Sequence, residues 1–298
     1  MKLKLGINTG FALNRYIEPE EWGRIVGDVL GLKSVQLTAS LLNPFWDKDY
    51  LARQIRRIRE ASKKYGFTID SIFTDAYTRV NHLSNPDRSA RAMWIDWFKR
   101  LFDMGAQLGA RSGGSHFGIQ TFATYRDADM HRFIEDENIK GWQELSKHGK
   151  NIGFDCLIFE PMSIPREYAN TVGETKRLMD RVNEDCGVPM RICLDVGHAP
   201  HPDERDCYPW IKALGKYSPV IHLQQTEINS SNHWAFTSEH NAQGYIKAEK
   251  VISCLKESGC EETLLILEIA HREHWDIDNM VIPDHIESVK YWRKFVED

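Results

Sequence analysis

Cysteine is sparse and unpatterned. The six residues Cys156, Cys186, Cys193, Cys207, Cys254 and Cys260 form no CxxC pair and show no regular spacing. This excludes a zinc knuckle and a disulfide framework and predicts reduced, mostly buried thiols. No apolar run approaches the roughly 18 residues that a membrane helix requires. The opening Met-Lys-Leu-Lys-Leu-Gly-Ile-Asn has too short an apolar part for a signal peptide, so a cytoplasmic protein is expected. Positive charge is not in excess either, with 38 Lys and Arg against 43 Asp and Glu and a net charge of −5. That balance argues against nucleic acid or a membrane surface as partner, though it leaves room for a local basic pocket. Pro/Ser linkers, low-complexity tracts and composition breaks are absent, so one domain over residues 1–298 is expected. The hydrophobic share of 42% is enough for a large core.

What the chain does have is rhythm. Short apolar runs at residues 3–8, 34–38, 67–73, 110–116, 154–160, 191–195, 220–224 and 263–268 read as strands. Between and after them, residues 18–30, 47–65, 87–108, 127–150, 172–185, 209–217, 248–258 and 284–296 read as helices. Strict alternation implies a parallel sheet, because each parallel connection needs a crossover. Eight such units make a (β/α)8 barrel in the α/β class. A doubly wound open sheet would normally carry a glycine-rich turn after its first strand, and Asn8-Thr9-Gly10-Phe11-Ala12 is not one. The least regular stretch, residues 227–244, interleaves polar and aromatic side chains, as functional loops do.

The later strands end on oxygen donors. Strand five closes Leu157-Ile158-Phe159-Glu160, strand six Ile192-Cys193-Leu194-Asp195, strand seven Ile221-His222-Leu223-Gln224, and strand eight Leu265-Ile266-Leu267-Glu268. In a barrel these ends share one mouth. Buried carboxylates are costly without a neutralising partner. Their convergence predicts a hard-donor site for one divalent ion, Mn²⁺ first, with Mg²⁺ or Co²⁺ as alternatives. Alternation turns His222 and Gln224 to the same face, so either can be the third ligand.

The segments Phe-Glu-Pro-Met (159–162), Leu-Asp-Val-Gly-His (194–198), Ile-His-Leu-Gln-Gln-Thr-Glu (221–227) and Leu-Glu-Ile (267–269) resemble the xylose isomerase-like TIM-barrel superfamily. Within it they are most similar to the sugar-phosphate isomerase/epimerase group of ketose 3-epimerases and hydroxypyruvate isomerases. The resemblance spans the chain in architecture and is strongest over residues 154–272. It implies that Glu160, Asp195, Gln224 and Glu268 bind the metal and that Glu160 and Glu268 form the acid/base pair. Ketose 3-epimerases carry histidine where aligning Glu227 puts Gln224, whereas hydroxypyruvate isomerases carry glutamine. The epimerases' following arginine is replaced by Ser230, which leaves His233, Arg272 or backbone amides to hold the far end of the sugar. His198 is implied as a substrate hydroxyl partner, and Glu167 with Arg166 as a grip on the carbonyl end. Related barrels commonly pair as homodimers, which this sequence neither supports nor denies.

The implied chemistry moves a proton at a carbon beside a carbonyl, with the ion stabilising a cis-enediolate and the two carboxylates working on opposite faces. An aldose–ketose isomerase would use the same parts. His116 closes strand four beside Gly113 and Gly114 and is a further substrate-binding candidate, and Trp46, Phe117 and Trp234 are candidate pocket walls. The Ser230–His233 segment suits a phosphate, and the chain's overall similarity to erythrulose-phosphate 3-epimerases implies a four-carbon ketose phosphate, with an unphosphorylated pentulose or hexulose as the open alternative. Two other classes fit the sequence less well. A metal-dependent nuclease on this barrel would place histidines on the early strands, which here end on Asn8, Thr38 and Thr74. A non-catalytic sugar-binding barrel would have lost Glu160 or Glu268, and both are present.

Overall fold

Eight parallel strands close into a barrel in unbroken sequence order in the computed structural model, which describes residues 1–198, 202–273 and 277–296. The staves are β1 (Lys2–Asn8), β2 (Ser34–Thr38), β3 (Thr68–Phe73), β4 (Ser112–His116), β5 (Cys156–Glu160), β6 (Met190–Asp195), β7 (Val220–Leu223) and β8 (Glu262–Leu267). Closure comes from β1, which pairs with β2 through Gly6 and Ser34 and with β8 through Leu5 and Leu265.

The helices are α1 (Pro19–Arg24), α2 (Lys48–Tyr65), α3 (Arg88–Leu108), α4 (Phe122–Arg126) and α5 (Ala128–Ile152). They continue with α6 (Val172–Asn183), α7 (Cys207–Leu214), α8 (Ser238–Gln243), α9 (Ala248–Glu257) and α10 (Val281–Trp292). Short-range chemistry sets their ends. Asp47, Asp87 and Asp127 each accept from the backbone N–H groups two and three residues on, capping α2, α3 and α5. Gly66 closes α2 at φ +72, a left-handed position that glycine takes without strain. None of the helices among the described residues is long and apolar enough to cross a membrane.

All eight expected strands form, and the departures lie in the helices. Residues 18–30 do not make one regular helix: α1 passes into a wider π-type turn at Ile25–Val29. Gly27 in that turn lies so near α2 that an added Cβ would sit 2.2 Å from the Tyr65 carbonyl oxygen. The last helix starts at Val281 rather than 284, since Pro283 fits a first helical turn. The loop expected at 227–244 contains α8, and its Trp234 forms an antiparallel bridge with Gln225 just before it. No residue of α8 is buried, so no apolar stripe marks it in the sequence.

Burial shows which side of each strand faces inward. Phe73, Cys156, Ile158, Cys193, Val220 and Ile266 pack together inside the barrel. Their neighbours Leu157, Phe159, Ile192, Leu194, Ile221, Leu265 and Leu267 belong to the large core shared with the helices. Side chains two residues beyond the inner set must therefore also point inward, at the C-terminal mouth. Those residues are Glu160, Asp195, His222 and Glu268. The wall at β4 is made of small residues because it has to be: a Cβ on Gly114 would lie 1.8 Å from the Ile158 carbonyl oxygen. All six cysteines are free, and all but Cys186 are buried.

Candidate active site

Glu160, Asp195, His222 and Glu268 each bring one ligand atom within 4.8 Å of the others. His222 is fully buried and sits between the two glutamates. Its Nδ1 lies 2.9 Å from Glu160 Oε1 and 3.0 Å from Glu268 Oε2. Its Nε2 lies 2.7 Å from the amide oxygen of Gln36, which can only accept. Both ring nitrogens therefore donate, and the ring is an imidazolium. Burial opposes that charge, but Cys193, Glu268 and Glu160 raise the pKa well above the ordinary histidine range. Burial pushes the Cys193 thiol itself up to about 12, so it is neutral and the two carboxylates carry the effect.

The carboxylates separate into two kinds. Burial alone would raise Glu160, yet His222 and His198 hold it far below the usual range. Burial likewise works against Glu268, and His222 again lowers it. Asp195 goes the other way, raised by burial despite the nearby His198 and His233. It accepts the Gly197 backbone N–H and two contacts from Gln224 Nε2, at 2.9 and 3.1 Å. His198 is raised to about 9: burial lowers it, but Asp195 and Glu160 prevail. Its Nδ1 is buried without a hydrogen-bond partner, 3.5 Å from Glu160 Oε1.

These side chains could hold a divalent cation. Even with His222 and His198 charged, the buried Glu160 and Asp195 together with the half-buried Glu268 outnumber them. The oxygen-rich donor set suits Mn²⁺ or Mg²⁺. Both strand-seven candidates reach the cluster. Gln224 presents its amide nitrogen to Asp195 while its oxygen accepts the His233 backbone N–H at 2.7 Å. His222 has both nitrogens engaged with protein partners.

A cavity of about 120 Å³ lies against Glu160 and Glu268, with His116, His198, His233 and Arg79 also in its walls. It adjoins a wider cavity of about 520 Å³ through shared Asp75, Ala76, His233 and Glu268, and the latter extends to Arg15 and Arg272. His116, His198 and His233 thus gather at the site, and exposed Arg272 stands at its outer end. The His233 backbone has φ +50, a strained choice for a non-glycine residue, and its ring lies 5.4 Å from His198. Glu167 stands behind this wall, buried and ion-paired with Arg79. The expected aromatic walls are not there. Phe117 packs on Phe159 and Trp142 in the core, Trp46 is exposed, and Trp234 stacks on His240 beside another cavity.

Sequence reasoning missed three participants. Arg79 comes from the loop after β3 and brings a guanidinium to the cavity. Gln36 from β2 accepts from His222 and also from Asn8 Nδ2, at 3.1 Å. Asn8 from β1 reaches Glu268 Oε1 at 3.4 Å. The polar inward parity of residues 34, 36 and 38 was the available signal for Gln36.

A closed parallel barrel that gathers acidic side chains at the C-terminal ends of its later strands defines a (β/α)8 enzyme-type scaffold. The family model for xylose isomerase-like TIM barrels matches residues 29–294. The chain belongs to the xylose isomerase-like TIM-barrel family. It is 33% identical over 302 residues to the D-erythrulose 1-phosphate 3-epimerase of Brucella abortus (strain 2308), covering 100% of this chain and 97% of that relative. A solved structure of a putative xylose isomerase from Rhodospirillum rubrum ATCC 11170 superposes with a TM-score of 0.88 at 26% identity, over 99% of this chain and 100% of that one. The D-psicose 3-epimerase of Clostridium cellulolyticum H10 shares the fold with a TM-score of 0.76 at 17% identity, over 99% and 100% of the two chains.

Proposed function

We propose that this protein is a divalent-metal-dependent 3-epimerase of a small ketose phosphate, with erythrulose 1-phosphate the favoured substrate. As in its epimerase relatives, the activity is that of an isomerase. The observation that carries the reading is the placement of Glu160 and Glu268. They come from β5 and from just beyond β8, face one cavity, and touch the same ring nitrogen of His222.

Glu160, Asp195, Gln224 and Glu268 would hold the ion, Gln224 by turning its amide so that the oxygen replaces the nitrogen beside Asp195. When bound, a divalent ion supplies Lewis acidity beside the ketone. The protein's groups do the proton work. A C3 carbon seated between the glutamates presents one face to each, so one carboxylate takes the C3 proton and the other delivers a proton to the opposite face. His222 Nδ1–H contacts both, which allows one carboxylate to be recharged as the other discharges. His198, whose Nδ1 makes an ion-pair contact to Glu160 but no hydrogen bond, is placed to hold a substrate oxygen. His116 and Arg79 line the same cavity and restrict how the substrate lies.

NMR of D-erythrulose 1-phosphate with enzyme and Mn²⁺ in ²H₂O tests the reading. Deuterium at C3 together with the C3 epimer is the expected result, abolished by chelator and restored by Mn²⁺ or Co²⁺. An aldose product would favour the aldose–ketose isomerase alternative, and absence of exchange in every ketose phosphate tried would reject both.

A further inference from the structure

Beside the acidic centre lies a second recess of about 340 Å³, lined among others by Ser163, Gly197, Arg205, Asn229, Ser230 and Ser231. We propose that this recess, formed by the loops after β5, β6 and β7, binds the phosphate of the substrate, with Arg205 as the residue that selects the phosphorylated ketose. The inference rests on the ketose-phosphate reading and adds to it where the dianion sits and what recognises it.

Charge separates this recess from its neighbours. The cavity against Glu160 and Glu268 is lined by those carboxylates and Asp75, and its wider extension adds Glu273. A phosphate dianion placed there would meet like charge in a poorly screened setting. Two of the three arginines of those cavities are already ion-paired, and the third lies among carboxylates. Arg79 is paired with Glu167, Arg15 with Asp278, and Arg272 shares its walls with Glu268 and Glu273. The recess has an arginine and no carboxylate among its described lining residues.

Arg205 is also uncommitted in charge. Its Nη1 donates to the neutral Asn229 Oδ1 at 3.0 Å, and no carboxylate pairs with it among the described residues. The acids flanking it in sequence are turned to backbone groups. Glu204 accepts the Val172 N–H at 2.7 Å, and Asp206 caps α7. The planar guanidinium leaves further N–H groups for a phosphate, and three serine hydroxyls surround the same space.

The recess is also near enough. Ser231 Oγ lies 3.2 Å from Gln224 Nε2, which lies 2.9 Å from Asp195 Oδ1. Residues one or two positions apart in the same loops line the two spaces: Met162, His198 and His233 at the reacting centre, and Ser163, Gly197 and Ser231 in the recess. A phosphate ester one carbon from the ketone has the short arm this arrangement requires.

The experiment compares erythrulose 1-phosphate with unphosphorylated erythrulose for wild type, Arg205→Met, Arg205→Lys, Ser230→Asp, Arg79→Met and Arg272→Met. Arg205→Met is expected to raise KM for the phosphate by about 30- to 100-fold, the effect of losing a charge-assisted contact, with a much smaller change in kcat. The preference for phosphorylated over unphosphorylated substrate should fall with it. Arg205→Lys should recover part of the loss, and Ser230→Asp should lower phosphate use further by repulsion. Wild-type KM in Arg205→Met, or a larger rise in Arg79→Met or Arg272→Met, overturns the assignment. Calorimetry with inorganic phosphate separates this from the functional reading. If wild type turns over no ketose phosphate, yet inorganic phosphate binds and Arg205→Met weakens it, the recess stands and the epimerase reading falls. If inorganic phosphate does not bind and no ketose phosphate is used, both fall.

Discussion

The two halves of the barrel end differently, and the contrast assigns each a task. Strands β1 to β4 finish near Asn8, Gln36, Thr74 and His116, neutral groups that bond to one another or to the opposite half. Strands β5 to β8 finish near Glu160, Asp195, His222, Gln224 and Glu268, where the charge is concentrated. The histidines at the barrel mouth follow the same division, whereas His285, away from it in α10, is lowered to about 4 by burial. His82 and His116, from the first half, are held neutral by burial, His82 well below its ordinary value and His116 at about 4. His198 and His222, from the second, are kept charged by carboxylates. On the proposed function, the first half would orient and the second would react.

Breaking the reactive half should cost most. Glu160→Gln and Glu268→Gln are each expected to lower epimerisation about a thousand- to ten-thousand-fold, while thermal unfolding stays cooperative because buried negative charge is reduced. Turnover and melting curves on the same preparations check both parts. Gln224→Leu should weaken Mn²⁺ binding by more than about 100-fold, the loss expected to exceed that of an outer-sphere partner. Titration followed by electron paramagnetic resonance reads this, and unchanged affinity would hand the ligand role to His222.

Breaking the orienting half should cost less. Gln36→Leu removes the acceptor of His222 Nε2–H and of Asn8, and a loss of about 10- to 100-fold in kcat with little change in KM is expected. Gln36→Glu retains an acceptor and should recover part of it. The smallest effect is on acid stability. His116 titrates at about 4 folded and near 6.5 unfolded, so the unfolded chain binds more protons between those values. Its stabilising contribution is complete above about pH 6.5 and lost as pH falls, by about 3 kcal/mol at pH 4. His116→Gln should therefore flatten the decline in urea-unfolding stability over that window.

The same division governs what could be read from the chain. Glu160, Asp195 and Glu268 are legible because each terminates an unbroken apolar run, which no solvated face does. Ser-Val-Gln-Leu-Thr in β2 alternates cleanly, but alternation alone does not reveal that its polar side faces a barrel mouth. Arg79 lies in a loop without period, and its place against Glu167 depends on two loops meeting far apart in sequence. The extra helices α4 and α8 are too short for periodicity to register, and the π-type turn after α1 reflects packing against Tyr65. Strand ends are legible in the sequence, whereas contacts between loops distant in the chain are not.

The most direct test follows each C3 epimer separately in ²H₂O with the two glutamine variants. If Glu160 and Glu268 serve opposite faces of one carbon, Glu160→Gln should exchange the C3 hydrogen of one epimer without inverting it, and Glu268→Gln that of the other. Variants that lose or keep exchange for both epimers alike would contradict the account.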